Sequence, residues 1–400
     1  MRKYIILFSI VIITVTIVTF NYINYTNQYN EVVKYNLEFE ETSGGVVNLK
    51  KGKNTIELKA YWGYTFFDYL TLAPADESLT NLSPTRKLSN PNASDSAKRL
   101  YNYLCDQYGK HIISGQQEYC GEHNYNLWAD PDTFIKDNEA EFEYIMEQTG
   151  KQPAIRGIDL LAYRSNTNWT DHAPERAIEW VNEYKGIATL TWHWNVPSVE
   201  GGDEVAFYVE STGNTPFTTF SITKALEEGT WENKQLLADI DAIAAELTKL
   251  KEADVPVLWR PLHEAEGAWF WWGAEGPEAC KQLYRLLYDK LTNEYGLDNL
   301  IWVWNSPVPT CYPGDDVVDI ISRDMYPPAH EHTARMDRLT ELQQLTPQHK
   351  IALIGEIGTL PSAPALAEAK AEWVSYMTWC GDFCTTENFT TNEVLREMYH

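Results

Sequence analysis

Residues 256–264 read PVLWRPLHE, a short apolar run that ends in two polar residues. Residues 350–358, KIALIGEIG, repeat this pattern with a glutamate near the end of the run. Short apolar runs rich in β-branched and aromatic residues are typical of strands that are buried on both faces of a parallel sheet. Polar residues at the carboxyl end of such a strand lie at the edge of the sheet where parallel α/β enzymes have their active sites.

Six further runs of the same kind occur between residues 111 and 383. In chain order they are HIISGQQ (111–117), PAIRGIDL (153–160), IATLTWHWN (187–195), NLIWVWNS (299–306), DIISRDMYP (319–327) and WVSYMTWCGDF (373–383). Apolar residues at helical spacing fill the intervals, most clearly over residues 235–252 and 278–295. Alternating strands and helices predict an α/β fold with a parallel sheet, and eight such units predict a (β/α)8 TIM barrel over residues 96–400.

Residues 31–74 have a different pattern, in which short stretches alternate apolar and polar side chains between glycine-containing turns. This alternation predicts β-strands. An independent β-sandwich usually needs about 100 residues, so we predict a small N-terminal β-strand appendage. Residues 75–95 are rich in Ser, Asn, Pro and Asp and are predicted to be a linker.

Residues 1–20 begin with Arg2 and Lys3 and continue as an apolar run to Phe20. A positive charge followed by an apolar run is the order of an export signal. The run of roughly 17 residues, at about 1.5 Å each, could reach about 25 Å as a helix. We therefore predict a cleaved signal peptide or an uncleaved membrane anchor, and a protein that is secreted or held at the cell surface.

The six cysteines form an even set, which suits an oxidising compartment. Cys380 and Cys384 are close enough in the chain to close a small loop, and a bond between Cys105 and Cys120 is also conceivable. No paired C-x-x-C units occur, so the cysteines do not predict a metal site.

The composition indicates a neutral partner. A formal net charge of −25 argues against nucleic acid and anionic membrane surfaces, because both attract basic proteins. Contact with a membrane is expected only through residues 1–20, if they remain uncleaved, and a monomer is expected. The 15 Trp and 24 Tyr exceed what a core normally needs and suggest platforms on which sugars stack.

Two glutamates stand at predicted strand ends, Glu264 in the fourth run and Glu356 in the seventh. Strands four and seven lie across the mouth of a small barrel, so the two carboxyl groups can face one bond. Retaining glycoside hydrolysis requires two carboxyl groups about 5 to 5.5 Å apart, one protonated and one ionised. We predict Glu264 as the acid/base and Glu356 as the nucleophile. Tyr326, at the end of the neighbouring sixth run, is positioned to donate a hydrogen bond to Glu356.

Aromatic and imidazole side chains surround these glutamates in the sequence. The run AWFWWG (268–273) follows Glu264 directly and is predicted to present at least one indole to substrate. Trp269 and Trp379 are the predicted sugar platforms, and His193 and His263 are predicted to bind sugar hydroxyls or to orient the carboxylates. Neither a metal site nor a cofactor is expected, and the zinc motif H-E-x-x-H does not occur in the sequence.

The chain from about residue 98 to 398 resembles glycoside hydrolase family 26, whose best-known members are β-mannanases. The resemblance rests on RPLHEAEGAWFWWG, TLTWHWNVP, LIWVWNS, SRDMYP, LIGEIG and the final MTWCGDF. It implies a (β/α)8 barrel, with the family's acid/base at Glu264 and its nucleophile at Glu356. It also implies that the cleaved sugar is bound by His193, His263, Trp269, Tyr326 and Trp379. Residues 31–74 resemble the closing strands of a family 35 carbohydrate-binding module.

The predicted function is that of a retaining endo-β-1,4-mannanase that acts on β-mannan or a related neutral plant polysaccharide. Two alternatives share the same chemistry, namely hydrolysis of mixed-linkage β-glucan and hydrolysis of β-xylan. An alternative of another class is a polysaccharide-binding protein without catalytic activity, which would keep the tryptophan platforms but would need neither glutamate.

Overall fold

The computed structural model describes residues 83–119, 138–165, 170–210 and 216–400, together with three strands nearer the amino terminus. The chain divides into two compact units, residues 1–82 and residues 83–400.

The first unit contains an antiparallel sheet of three strands in the order β2-β1-β3. These strands are β1 (Lys3–Ile10), β2 (Glu40–Asn48) and β3 (Phe67–Pro74). The central strand β1 lies within the segment that was predicted to direct export, and the two outer strands lie within the predicted β-strand appendage. Among the described residues, no helix is both long enough and apolar enough to cross a membrane.

The second unit is built on eight parallel strands that follow one another in chain order, apart from a small hairpin inserted after the third. The barrel strands are β4 (Gly115–Gln117), β5 (Ile155–Asp159), β6 (Ile187–Thr191), β9 (Val257–Arg260), β10 (Leu300–Asn305), β11 (Ile320–Met325), β12 (Ala352–Ile357) and β13 (Trp373–Ser375). The hairpin strands are β7 (Val196–Pro197) and β8 (Val205–Ala206).

Isolated bridges join the first and last barrel strands, where Ile113 pairs with Ser375 and Gln116 pairs with Thr378. The eight predicted runs each contain one of these strands, so the predicted barrel is confirmed. The fourth run was predicted to remain a strand up to Glu264, and this is wrong because β9 ends at Arg260. Leu262 and Glu264 both have φ at 53°, which turns the chain away from strand geometry.

Helices follow the strands around the outside of the barrel. They are α1 (Asp95–Gln107), α2 (Ala140–Thr149), α3 (Ala173–Asn182), α4 (Ile222–Ala225), α5 (Trp231–Glu252), α6 (Pro277–Tyr288), α7 (Met336–Gln343), α8 (Ala363–Ala369), α9 (Asp382–Thr385) and α10 (Asn392–Tyr399). The longest, α5, begins after Thr230, whose hydroxyl accepts a hydrogen bond from the amide of Asn233. Its predicted apolar face is completely buried, so tertiary packing as well as capping holds this helix.

Most indole rings belong to the core. Eight tryptophans are less than 2% exposed, namely Trp192, Trp194, Trp259, Trp271, Trp272, Trp302, Trp304 and Trp373. Trp192 and Trp194 stack with ring centroids 4.0 Å apart. The inference from composition that the surplus of tryptophan forms sugar platforms is therefore wrong for these eight, which fill space between the strands and helices instead.

The cysteine pairings considered from the sequence are not formed. Cys105 and Cys384 are both buried free thiols, so neither the bond from Cys105 to Cys120 nor the bond from Cys380 to Cys384 is present.

Candidate active site

Glu264 and Glu356 meet at the carboxyl ends of the barrel strands. Glu356 lies on β12, and Glu264 lies four residues beyond the end of β9, where its amide donates to the backbone and side-chain oxygens of Asn305 at 3.2 Å. The positive φ of Glu264 is a conformation that costs energy outside glycine and that clusters at functional sites. One carboxyl oxygen of Glu264 lies within 4.8 Å of one of Glu356. This spacing is close to that of retaining glycosidases, about 5 to 5.5 Å.

Both oxygens of Glu356 accept strong hydrogen bonds. Arg260 donates from Nη2 to Oε1 at 2.6 Å, and the hydroxyl of Tyr326 donates to Oε2 at 2.6 Å. The predicted contact between Tyr326 and Glu356 is therefore present. The guanidinium and the hydroxyl stabilise negative charge on Glu356 and hold its carboxylate in one orientation.

Arg260 and Asp324 complete the charged network and were not selected from the sequence. Arg260 Nη1 donates to Asp324 Oδ2 at 2.8 Å, and Asn305 Nδ2 donates to Asp324 Oδ1 at 2.8 Å. Oxygens of Glu264, Asp324 and Glu356 all lie within 4.8 Å of one another, a spacing that could hold a cation. The buried guanidinium of Arg260 supplies a positive charge to two of these three carboxyl groups.

The same network makes Glu264 a proton donor. Burial, followed by the nearby carboxyl groups of Asp324 and Glu356, raises the pKa of Glu264 to about 9, although Arg260 and Trp269 act to lower it. Trp269 Nε1 donates to Glu264 Oε2 at 3.0 Å. At neutral pH Glu264 therefore holds its proton beside an anion, which is the division of roles that acid-assisted substitution requires.

The two predicted histidines form a chain with Asp159. His193 Nδ1 bonds the carboxylate of Asp159, and the Nε2 atoms of His193 and His263 lie 3.1 Å apart. Burial is the largest effect on His193 and opposes its charge, but the charge and hydrogen bond of Asp159, together with the charge of Glu356, outweigh burial and raise the pKa of that ring. Burial and the proximity of His193 lower the pKa of His263 well below its usual value. The lowered pKa of His263 favours the neutral form of that ring, which lies in hydrogen-bond contact with His193.

The aromatic residues of the site differ in exposure. Trp269 and Tyr326 are 44% and 46% exposed at the mouth of the barrel, whereas Trp379 is 6% exposed and its ring centroid lies 6.3 Å from that of His193. Within AWFWWG, Trp269 is the exposed ring, while Phe270, Trp271 and Trp272 are buried. Sequence reasoning missed Phe270, whose ring packs against both histidines at 5.2 to 5.6 Å between centroids.

The structure therefore brings all seven predicted residues to one end of the barrel. Glu264, Glu356, Tyr326 and Trp269 are joined by direct hydrogen bonds, and His193, His263 and Trp379 line the adjoining wall. The missed polar residues carried a signal that could have found them. Arg260 is a charged residue inside an apolar strand, and Asp324 lies near the end of β11.

Comparison with known proteins identifies the family of the chain. The family model described as Glycosyl hydrolase family 26 matches residues 89–400. A mannan endo-1,4-beta-mannosidase of Thermothelomyces thermophilus is 40% identical over 367 residues, which are 90% of this chain and 70% of the relative. Mannan endo-1,4-beta-mannosidase B of Piromyces sp is 35% identical over 91% of this chain, which spans 61% of that longer relative.

Two solved structures match over the whole of this chain, and each match includes 85% of the chain of the solved structure. A ruminal GH26 endo-beta-1,4-mannanase superposes with a TM-score of 0.77 at 32% identity. The GH26-CBM35 beta-(1,4)-mannanase of Podospora anserina superposes with a TM-score of 0.70 at 36% identity. A third, a beta-mannanase from a symbiotic protist of the termite Reticulitermes speratus complexed with gluco-manno-oligosaccharide, has a TM-score of 0.69 at 30% identity and covers 80% of this chain.

Proposed function

Because the chain belongs to glycosyl hydrolase family 26, we propose that it is a retaining endo-β-1,4-mannanase that hydrolyses plant β-mannans. The names of its relatives from Thermothelomyces and Piromyces support mannan as the substrate. The net charge of −25 is compatible with a neutral polysaccharide. The enzyme class follows from the family, whereas the substrate and the mechanism are our proposal.

The pair formed by Glu264 and Glu356 is the single observation that carries the proposed mechanism. Their oxygens lie within 4.8 Å, too close for a water molecule to attack between the sugar and the second carboxylate, as inverting enzymes require. The raised pKa of Glu264 supports its role as the acid, and the hydrogen bonds that Arg260 and Tyr326 donate to Glu356 support its role as the nucleophile. Such a pair favours double displacement.

In the first step Glu356 attacks the anomeric carbon while Glu264 gives its proton to the departing glycosidic oxygen. The products are a covalent glycosyl-enzyme and a shortened polysaccharide with a free hydroxyl. In the second step Glu264, now ionised, takes a proton from water as the water oxygen displaces Glu356. Two inversions at the same carbon restore the β-configuration.

Trp269 and Tyr326 give the site an open, aromatic mouth that suits binding along a chain rather than at its end. An indole face packs against the C–H groups of a pyranose ring, and its exposure leaves room for sugars on both sides of the cut. We propose that His193 and His263 bind sugar hydroxyls on the adjoining wall, with Asp159 fixing the orientation of His193.

The test is release of reducing sugar by the full-length protein from linear β-mannan, galactomannan, barley β-glucan and xylan. We expect mannan to be hydrolysed fastest, and Glu264→Gln and Glu356→Gln each to lower kcat/KM on mannan by at least about 10³-fold. Glu278→Gln is the matched control, because that exposed carboxylate pairs only with Lys281 on the surface of α6. Faster hydrolysis of glucan or xylan than of mannan would contradict the proposed substrate but not the proposed mechanism.

We also propose that the protein is exported, because residues 1–20 have the basic and then apolar order of an export signal. We further propose that it acts as a monomer. Amino-terminal sequencing of protein from the culture medium and from membranes separates a cleaved signal from a retained anchor. Light scattering during gel filtration is expected to give a single species near the chain mass of 46.0 kDa, less any residues removed. Protein retained wholly in the cytosol would contradict export.

A further inference from the structure

A cavity of about 820 Å³ opens on the second unit at the end of the barrel opposite the candidate active site. Its lining includes residues 109–112, which precede β4, residues 151–152, which precede β5, and residues 370–371, which precede β13. These segments lie at the amino ends of the strands, whereas Glu264 and Glu356 lie at the carboxyl ends. The volume is in the range of sites that bind small molecules.

The charge of this cavity is opposite to that of the protein as a whole. Lys110, His111, Lys151 and Lys370 line it, and no aspartate or glutamate is among its described lining residues. Lysine is therefore the predominant charged residue of this lining in a chain whose net charge is −25. The nearby carboxylate of Glu372 accepts a hydrogen bond from Tyr108 at 3.1 Å instead.

Two of these lysines are unpaired. Lys110 and Lys370 are exposed and form neither an ion pair nor a side-chain hydrogen bond with any residue that the structure describes. Lys151 is partly engaged, since its Nζ donates to the carbonyl oxygen of Tyr399 at 2.5 Å. Free ammonium groups around a cavity attract anions, and a Lys ammonium binds them as a point charge.

The distribution of the lysines indicates what kind of anion would fit. Lys110, Lys151 and Lys370 come from three separate connections, so their charges stand around the rim rather than at one point. The lining also contains the apolar side chains of Leu366 and Met398. A single phosphate ion would fill little of this volume and would not use the apolar part of the lining. A ligand with spaced charges on rings that also carry C–H faces would use both features.

We propose that this cavity binds a short uronic-acid oligosaccharide through its carboxylates. Each carboxylate would form an ion pair with one of the three lysines, and a sugar ring would pack against Leu366 and Met398. Ser114 and Gln152 would form hydrogen bonds with sugar hydroxyl groups. Because this site and the candidate active site are at opposite ends of the barrel, the ligand does not compete with the polysaccharide that is cut. Binding would hold the enzyme on acidic polysaccharide while its active site stays open.

Isothermal titration calorimetry of the full-length protein at low ionic strength tests this proposal. The probes are trigalacturonate, its neutral methyl ester, and inorganic phosphate. We expect weak binding of trigalacturonate that declines with added salt, because exposed charges are screened. Lys110→Gln and Lys370→Gln should each weaken binding about two- to fivefold, and together about tenfold, as exposed ion pairs contribute modestly. Circular dichroism verifies that the variants are folded.

Lys98→Gln is the matched control, because Lys98 is an exposed lysine on α1 outside the cavity and should leave binding unchanged. Hydrolysis of mannan should be the same in the unaltered protein and in all four variants, so loss of the proposed enzymatic activity and loss of this site are separate results. Absence of trigalacturonate binding, equal binding of the methyl ester, equal binding of phosphate, or unchanged binding in the double variant would each overturn the proposal.

Discussion

Glu264 is a partly buried carboxyl group whose neighbours make its ionisation unfavourable. Burial raises its pKa to about 9, with further contributions from the charges of Asp324 and Glu356. A general acid must be protonated in the free enzyme, so kcat/KM for mannan should fall as pH rises through about 9. The pH profile of hydrolysis of a soluble manno-oligosaccharide measures this limb. A basic limb below pH 6 would contradict the assignment of Glu264.

Trp269→Phe extends this prediction. The indole N–H that bonds Glu264 Oε2 favours the ionised carboxylate and so lowers its pKa. Phenylalanine keeps an aromatic ring but removes the donor, and the basic limb of the pH profile should move to higher pH. A limb that stays in place, or moves lower, would show that this hydrogen bond does not act on the general acid.

At this scale the sequence identified the two glutamates of the site but not the residues that hold them in place. Glu264 and Glu356 could be predicted because a carboxylate after an apolar run has an obvious place at the mouth of a barrel. Arg260 could not be assigned a partner, because the contact with Glu356 spans 96 positions in the chain and depends on strand register. Phe270 was missed because one member of a run of aromatic residues cannot be ranked without knowing which side faces the core.

At the scale of elements, the strand β12 carries Glu356 next to Gly355, a position where the surrounding side chains leave no space for a Cβ atom. A Cβ atom at Gly355 would lie 2.4 Å from Asp324 Oδ1 and 2.5 Å from Asn305 Nδ2. Gly355→Ala should therefore displace Asp324 and, through it, Arg260. We expect a loss of about 10²-fold in kcat, because misplacing catalytic groups by about 1 Å has that effect. Steady-state kinetics measure the loss, and unchanged kcat would contradict this account of the network.

A second buried network joins β4, β5 and α3. Glu118, which follows β4, bonds Arg156 of β5 at 2.7 Å and Arg176 of α3 at 2.6 Å. Glu118→Gln would leave two largely buried guanidinium groups without this negative charge. We expect the free energy of unfolding to fall by about 3 kcal/mol, measured by urea denaturation.

Glu179→Gln is the control for this change, because Glu179 is exposed on the same helix. It should alter the free energy of unfolding by no more than about 0.5 kcal/mol. If both variants unfolded at the same urea concentration, the network would contribute nothing measurable to stability.

The strands were predictable as elements because each is a short apolar run between helical stretches. The ends of the strands were harder to predict. β9 ends at Arg260, and the positive φ angles of Leu262 and Glu264 cannot be predicted from the pattern of apolar residues. Composition alone also could not predict which tryptophans are buried, because an indole ring packs in a large α/β core as well as it packs against a sugar.

At the scale of the whole molecule, residues 83–400 contain the barrel, its core and the candidate active site. Thr85 is tied to this unit by a hydrogen bond from its amide to His349 and by one that its carbonyl accepts from Tyr101. A chain that begins at residue 83 should therefore fold and hydrolyse a short manno-oligosaccharide within about twofold of the full chain. Insolubility or loss of activity would show that residues 1–82 are needed for folding.

The assignment of roles to three neighbouring carboxyl groups is tested most directly by trapping the covalent intermediate. A 2-deoxy-2-fluoro-β-mannosyl fluoride forms the glycosyl-enzyme but slows its hydrolysis, since the fluorine destabilises the positive charge of the transition state. Peptide mapping by mass spectrometry then locates the sugar. We predict that it is attached to Glu356, with Glu264 and Asp324 unmodified. Attachment to Glu264 or Asp324, or turnover without any trapped intermediate, would contradict the proposed double displacement.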